Sequence, residues 1–150
     1  MHRKHALCAL MLTAAAGVLV AGPLTPPAGP VSSSYKTLAD IEPRTALSSA
    51  STPGDATAVY IISQPGSYYL TSPITVPSGK SGVRIAAPNV TLDLGGFSIT
   101  GLAGSVDGII TTGVAEHIRV HDGAVVSMGQ QGVDMSYLSN NSLSNVTVSS

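Results

Sequence analysis

Apolar and polar residues alternate through the middle of the chain. The clearest case is the stretch 89–101, which is written Asn-Val-Thr-Leu-Asp-Leu-Gly-Gly-Phe-Ser-Ile-Thr-Gly. The alternation on both sides of its glycine pair is typical of β-strands with one buried face. Gly95 and Gly96 interrupt it, because glycine adopts backbone conformations that larger residues avoid. The stretch therefore predicts two short strands joined at a sharp corner.

The same pattern returns downstream. Asn-Val-Thr at 89 is followed by His-Ile-Arg at 117 and by Asn-Val-Thr at 145, so the two steps along the chain are equal. A second column begins at Gly82, Gly108 and Gly132, where the second step is slightly shorter than the first. Repeats of this length made of short strands indicate a solenoid, whose stacked coils share one apolar interior. We therefore predict an all-β parallel β-helix with an N-terminal cap and about three coils; strand length alone would also allow a β-sandwich.

The equal steps from 89 to 117 to 145 predict which side chains lie on top of one another. Two interior rows are expected: Val90, Ile118, Val146 and Leu92, Val120, Val148. Two exterior rows are expected: Thr91, Arg119, Thr147 and Asp93, His121, Ser149. The pattern thus places Asp93 beside His121 on the outer face of one sheet.

The start of the chain has a different character. Residues 1–22 combine a basic start with a long apolar run from Ala6 to Gly22, which is typical of a secretory signal peptide. A retained membrane anchor is the alternative, although a span needs ~20 residues. Residues 23–56 are rich in Pro and Ser and are predicted to be a linker and leader. The β-helix is predicted over 57–150, with the cap and first coil at 57–80 and the repeats at 81–150.

Composition and net charge limit the kinds of partner that the protein is expected to bind. Without the predicted signal the chain keeps five basic and eight acidic residues, a net charge of −3. No basic patch is visible, which argues against nucleic acid as a partner. The single cysteine, Cys8, lies inside the signal. We expect a secreted, periplasmic or cell-surface protein that has no stable membrane span after signal cleavage and is held together by stacking alone.

Two stretches resemble a known family. Gln-Pro-Gly-Ser-Tyr-Tyr-Leu-Thr at 64–71, together with the stretch 89–101, resembles secreted bacterial right-handed parallel β-helix repeat proteins of the pectate-lyase-like superfamily. The segments 22–31 and 41–44 look like the leader of such proteins, so the resemblance covers roughly 22–150. It implies a right-handed coil and a polysaccharide partner, and it says little about activity.

Three exterior residues are the predicted carbohydrate-binding site: Asp93, Arg119 and His121. The resemblance implies that sugar acids bind such a face, and that Ca²⁺ is a cofactor only if the protein is a lyase. A surface ion pair without function is the alternative. No metal site is predicted, because His117 and His121 lie ~13 Å apart on one strand. No carboxylate pair suited to a glycosidase is visible either.

The most consistent function is a non-catalytic surface, adhesion or carbohydrate-binding module. The alternative is the N-terminal part of a polysaccharide lyase, epimerase or glycoside hydrolase that acts on acidic polysaccharide, and the sequence leaves open whether the protein is an enzyme. The third repeat reaches Ser150 without a visible cap. We expect either that coils continue beyond it or that two copies pair end to end.

Overall fold

The described chain consists of strands joined by turns and bends. The computed structural model describes residues 43–113, 115–136 and 139–150, so the predicted signal peptide and residues 23–42 of the predicted linker lie outside it. The strands are β1 Thr45–Ala46, β2 Ala58–Ile62, β3 Gly66–Tyr69, β4 Ile74–Val76, β5 Ser81–Ile85, β6 Val90–Asp93, β7 Ser98–Gly101, β8 Ile109–Thr111, β9 Arg119–Val126, β10 Val133–Asp134 and β11 Ser142–Ser149. No helix in these residues is long and apolar enough to cross a bilayer.

Every pairing between these strands is parallel, and the strands form two sheets. The first sheet has the order β1-β3-β6-β9-β7-β4, with β11 also paired to β9, and the second has the order β10-β8-β5-β2. Successive coils contribute one strand after another to each sheet, which makes a parallel β-solenoid of about 4 turns. The predicted all-β solenoid is confirmed. The first sheet already begins at Thr45–Ala46, upstream of residue 57, where the sequence places the start of the coils.

Strand β9 passes a corner without interruption. Its first half pairs with β6, where Asp93 lies opposite His121, and its second half pairs with β7, where Ser98 lies opposite Ala124. The corner therefore contains two more residues in the coil that carries the glycine pair than in the next coil. In that next coil the chain bends at Asp122, which has φ 60°. Positive φ is tolerated best by Gly, Asn and Asp. The corner thus varies in length while the strands on either side stay in register.

The interior is filled by rows of apolar side chains from stacked strands. Their completely buried members include Val83, Ile85, Val90, Leu92, Ile99, Ile109, Val120 and Val125. Three glycines of the second sheet, Gly82, Gly108 and Gly132, follow one another up the stack, as the glycine column of the sequence predicts. A Cβ on Gly108 would lie 2.2 Å from Val125 Cγ1 and 2.5 Å from the Gly132 carbonyl oxygen. The coils approach so closely here that only glycine fits.

The predicted register is correct for β6 and β9 and wrong for β11. Leu92 lies opposite Val120, as expected. Strand β11 instead pairs with β9 so that Val146 lies opposite Gly123 and not opposite Ile118. The same shift sets Leu143 opposite Val120 and Val148 opposite Val125.

The exterior rows change in the same way. Ser142 lies beside Arg119 and Ser144 beside His121, in place of the predicted Thr147 and Ser149. Asn145 is the reason for the error. It resembles Asn89 in sequence, but it lies opposite Asp122 at the corner inside β9, whereas Asn89 precedes β6.

Candidate functional site

The outer face of the first sheet carries the predicted site. One exterior row runs across β3, β6, β9 and β11 through Tyr69, Asp93, His121 and Ser144. Parallel pairing sets these residues side by side at the strand spacing of ~4.8 Å. The expected juxtaposition of Asp93 and His121 is present: Nδ1 of His121 lies 3.7 Å from Oδ1 of Asp93.

Asp93 is held by contacts on both of its oxygens. Its Oδ2 accepts a hydrogen bond from Nη1 of Arg44 at 2.9 Å, and its Oδ1 accepts one from the Gly95 amide at 2.8 Å. The second contact closes the turn at the glycine corner. The Arg44 guanidinium also lies over the Tyr69 ring, 4.9 Å from its centroid. Residues upstream of the predicted repeats thus fix the orientation of Asp93.

His121 has a closer acidic neighbour than Asp93. Its Nδ1 lies 2.7 Å from Oδ2 of Asp122, while Oδ1 of Asp122 accepts a hydrogen bond from Nδ2 of Asn145 at 2.6 Å. Hydrogen bonds from Asn145 and then His121 lower the pKa of Asp122 below its ordinary value. Its carboxylate is therefore ionised at neutral pH and can only accept, so Nδ1 of His121 donates. Asp122 is not among the site residues that the sequence predicted.

Arg119 occupies the neighbouring exterior row. It lies beside Thr91 and Ser142, two residues before His121, and therefore on the same face of β9. Its side chain is exposed and has no ion pair or hydrogen bond with the part of the chain that the structure describes. The structure thus brings Asp93 and His121 together and leaves Arg119 as a separate cation nearby.

The outer face of the second sheet contains a pocket that the sequence did not predict. Its volume is about 310 Å³. The lining residues are Thr57, Gly79, Ser81, Arg84, Val106, Asp107, Ile110 and Thr112. Arg84 and Ile110 are neighbours on β5 and β8, with side chains that alternate with the buried Val83 and Ile109. The outward position of Arg84 and Ile110 follows from their spacing after Gly82 and Gly108 in the sequence. The pocket itself also depends on loops from three separate coils, which this spacing does not predict.

Charged groups on two sides hold the shape of this pocket. On one side, the Arg84 guanidinium donates to the Thr57 hydroxyl and to Oδ2 of Asp55, and the bond from Arg84 is the main reason that the pKa of Asp55 is lowered. On the other side, Asp107 is 5% exposed, and its Oδ1 accepts a hydrogen bond from the Gln131 amide at 3.0 Å. The pocket therefore offers a cation, a carboxylate and several hydroxyls around an apolar floor.

One group of side chains has the spacing of a metal site. Asp93, His121 and Asp122 each offer one donor atom, and these atoms lie within 4.8 Å of one another. Ca²⁺ takes six to eight oxygen ligands, and imidazole is not among its usual donors. The group therefore does not fit the Ca²⁺ that the family resemblance attaches to a lyase.

No protein-family model, no curated protein and no solved structure matches this chain.

Proposed function

We propose that this protein is an exported, non-catalytic β-solenoid that binds carbohydrate in the pocket of the second sheet. The observation that carries the proposal is the pocket of about 310 Å³, which joins hydrogen-bonding groups of both kinds to an apolar floor. A sugar ring needs this combination, because it presents hydroxyls at its edge and C–H groups on its faces. The resemblance to the pectate-lyase-like superfamily also favours a polysaccharide as the partner. On the same resemblance we propose that the coil is right-handed.

The pocket groups are held in place before any ligand arrives. Asp107 is fixed by the Gln131 amide, and Arg84 is fixed by Thr57 and Asp55. Both lie on or beside strands of a rigid stack, so little conformational entropy is lost when a ligand binds. Oxygen atoms of Asp107 accept from sugar hydroxyls, while Ser81 and Thr112 both donate and accept.

The first sheet offers a second, flatter surface for the same partner. Its residues are Asp93, Arg119 and His121, which the sequence predicted, with Tyr69 in the same row as Asp93. Here Asp93 is already occupied by Arg44 and Gly95. We therefore place sugar binding in the pocket and keep the first sheet as the competing location.

Matched substitutions on the two sheets separate these locations. Asp107→Asn and Thr112→Val keep the size of the side chain and remove one hydrogen-bonding capacity in the pocket. Arg119→Ala and Thr91→Val are the corresponding changes on the first sheet. Binding is measured by calorimetry against a panel of neutral and acidic polysaccharides. Each pocket variant is expected to weaken binding about tenfold, the effect of losing one hydrogen bond of about 1.4 kcal/mol.

The first-sheet variants are expected to bind as the unmodified chain does. The reverse pattern would move the binding site to Asp93, Arg119 and His121. If the unmodified chain binds no member of the panel, carbohydrate binding itself is refuted.

Arg84 favours one alternative, namely that the chain is the N-terminal part of an enzyme that acts on acidic polysaccharide. The N–H groups of the Arg84 guanidinium that Thr57 and Asp55 leave unused can donate to a uronate carboxylate. The test is depolymerisation of uronate polymers with and without added Ca²⁺. Appearance of shortened or unsaturated products would establish the alternative, and binding without products would support the non-catalytic module.

A further inference from the structure

We propose that Asp93, His121 and Asp122 bind a divalent transition-metal ion of the Zn²⁺ type on the outer face of the first sheet. The sequence predicts no metal site, because the other histidine of the predicted strand, His117, lies too far from His121. The structure instead pairs this imidazole with one carboxylate from the adjacent coil and one from the next residue along β9.

The donor atoms are close to the spacing that Zn²⁺ requires. Bond lengths of 2.0–2.2 Å in a tetrahedral site separate neighbouring ligand atoms by ~3.4 Å. Nδ1 of His121 lies 3.7 Å from Oδ1 of Asp93 and 2.7 Å from Oδ2 of Asp122. All three donor atoms lie within 4.8 Å of one another, so shifts of up to about 1 Å by these partly exposed side chains bring them around one ion.

Each carboxylate keeps its other oxygen for a donor outside the group. Arg44 bonds Oδ2 of Asp93, and Asn145 bonds Oδ1 of Asp122. The oxygens that face His121 are Oδ1 of Asp93, which also accepts from the Gly95 amide, and Oδ2 of Asp122. Metal sites use outer partners of this kind to orient their ligands. Arg44 and Asn145 come from opposite ends of the described sheet, so the solenoid must be assembled before the group is complete.

The chemistry of the donors selects the class of ion. Imidazole nitrogen suits Zn²⁺ and Cu²⁺, whereas Ca²⁺ and Mg²⁺ prefer oxygen alone. Two carboxylates balance the charge of a dication. When the ion binds, it takes the place of the proton that Nδ1 of His121 donates to Asp122. The displaced proton passes from Nδ1 to solvent, because a metal ion binds imidazole through a deprotonated nitrogen.

Two features of the site oppose binding and limit its strength. The Arg44 guanidinium places a positive charge beside Asp93, and the Gly95 amide already uses one lone pair of Oδ1. A carboxylate oxygen has a second lone pair, so the amide bond and the metal bond can coexist. Solvent reaches the group, because the side chains of Asp93, His121 and Asp122 are 20%, 24% and 49% exposed. Water or an external ligand can therefore fill the fourth position.

The test titrates the full chain, freed of metal by a chelator, with Zn²⁺ and separately with Ca²⁺ in a calorimeter. The expected result is one saturable Zn²⁺ site and Ca²⁺ binding at least tenfold weaker. His121→Gln and Asp122→Asn are expected to weaken Zn²⁺ binding more than tenfold. Asparagine tolerates the positive φ of Asp122, so the second variant is expected to fold. Asn145→Gly keeps the positive φ of this residue and removes its side-chain amide, an outer partner, and about a tenfold loss is expected.

His117→Asn is the matched control, because it removes a nearby histidine and leaves all three ligands in place. Asparagine already occupies position 89, which has the same positive φ. Zn²⁺ affinity unchanged in this control and lost in the His121 variant supports the site. Equal binding by the unmodified chain and the His121 variant would overturn it, and would place the ion at other donors such as His2, His5 or Cys8. Ca²⁺ binding as tight as Zn²⁺ binding would overturn it as well.

Discussion

The middle and the last described turn of the solenoid carry the same kind of strand but bury it to different extents. Leu92 and Val120 are fully buried, whereas Leu143, which continues their row on β11, is 43% exposed. Val125 and Val148 differ in the same way, at 0% and 47%. Within the described chain β11 has one neighbour, β9, while β9 has neighbours on both sides. Sequence pattern sets which way a side chain points, and the adjacent coils set how much that orientation stabilises the fold.

The largest expected difference between the two turns is in the loss of stability when a leucine of the same row is replaced in each. Leu92→Ala is expected to lower the free energy of unfolding by about 2–5 kcal/mol, because it leaves a cavity in a packed interior. Leu143→Ala is expected to cost less than about 1 kcal/mol, because much of its side chain already contacts water. Urea denaturation of both variants gives the comparison. Equal losses would mean that the last turn is as well packed as the middle.

The next test uses the glycine stack of the second sheet. Gly108→Ala is expected to cost about 1–3 kcal/mol, because the new methyl group would meet the buried Val125 and the Gly132 carbonyl oxygen. A Cβ on Gly132 would meet Val148 Cγ1 at 2.2 Å, but Val148 is exposed and can rotate away. Gly132→Ala is therefore expected to cost less than about 1 kcal/mol. A larger loss at Gly132 than at Gly108 in the same denaturation assay would contradict this ranking.

A third pair of substitutions is expected to show no difference between the regions. Asn89 and Asn140 have φ values of 56° and 63° at corners in the middle and near the end. Alanine at either position is expected to cost about 1 kcal/mol, because the strain of positive φ arises within one residue. Unfolding curves of Asn89→Ala and Asn140→Ala should shift equally. A much smaller shift for Asn140→Ala would show that the last turn relaxes its backbone as well as its packing.

The smallest effect concerns pH. Three carboxyls have lowered pKa values: Asp55 near the first turns, and Asp122 and Asp134 near the last. The largest causes are hydrogen bonds from Arg84, Asn145 and Ser136, respectively. The unfolded chain binds these protons near pH ~3.9, so their stabilisation is complete above that pH and is lost as the pH falls through the folded values.

Tyr68 titrates with the opposite sign. Burial raises its pKa, so the stability that it contributes is complete below pH ~10 and is lost as the pH rises through its folded value. Thermal unfolding between pH 2 and pH 11 is therefore expected to show a plateau from about pH 5 to pH 9 with a decline on each side. Asn substituted at Asp122 should make the acid decline shallower. An unchanged acid limb in that variant would show that Asp122 does not contribute to it.

Alternation was sufficient to predict the strands and the packing of β6 on β9. Leu92 and Asp93 have the orientations that a period of two requires, and a corner at Gly95 and Gly96 follows from glycine alone. The register of β11 could not be predicted in the same way. Each coil has more than one corner that favours Asn, Asp or Gly, so an Asn-Val-Thr motif does not say which corner it follows.

The site on the first sheet could be predicted only in part, because periodicity places residues of one row and not those that corners or distant segments bring in. Asp93 and His121 meet because they share an exterior row, and a row can be counted along the chain. Asp122 approaches His121 through its corner conformation, and Arg44 reaches Asp93 from a distant part of the sequence. The pocket that contains Arg84 and Asp107 is likewise built from loops whose course no periodicity encodes.

The corner at Gly95 and Gly96 gives this architecture a place that accommodates length changes. One coil turns there with two residues more than the next, yet the ladders on both sides remain paired. A peptide inserted between these glycines would project outward from the wall while the strands below and above kept their partners. The corner is thus a natural position for displaying a foreign epitope, and the same tolerance lets homologous coils differ in circumference.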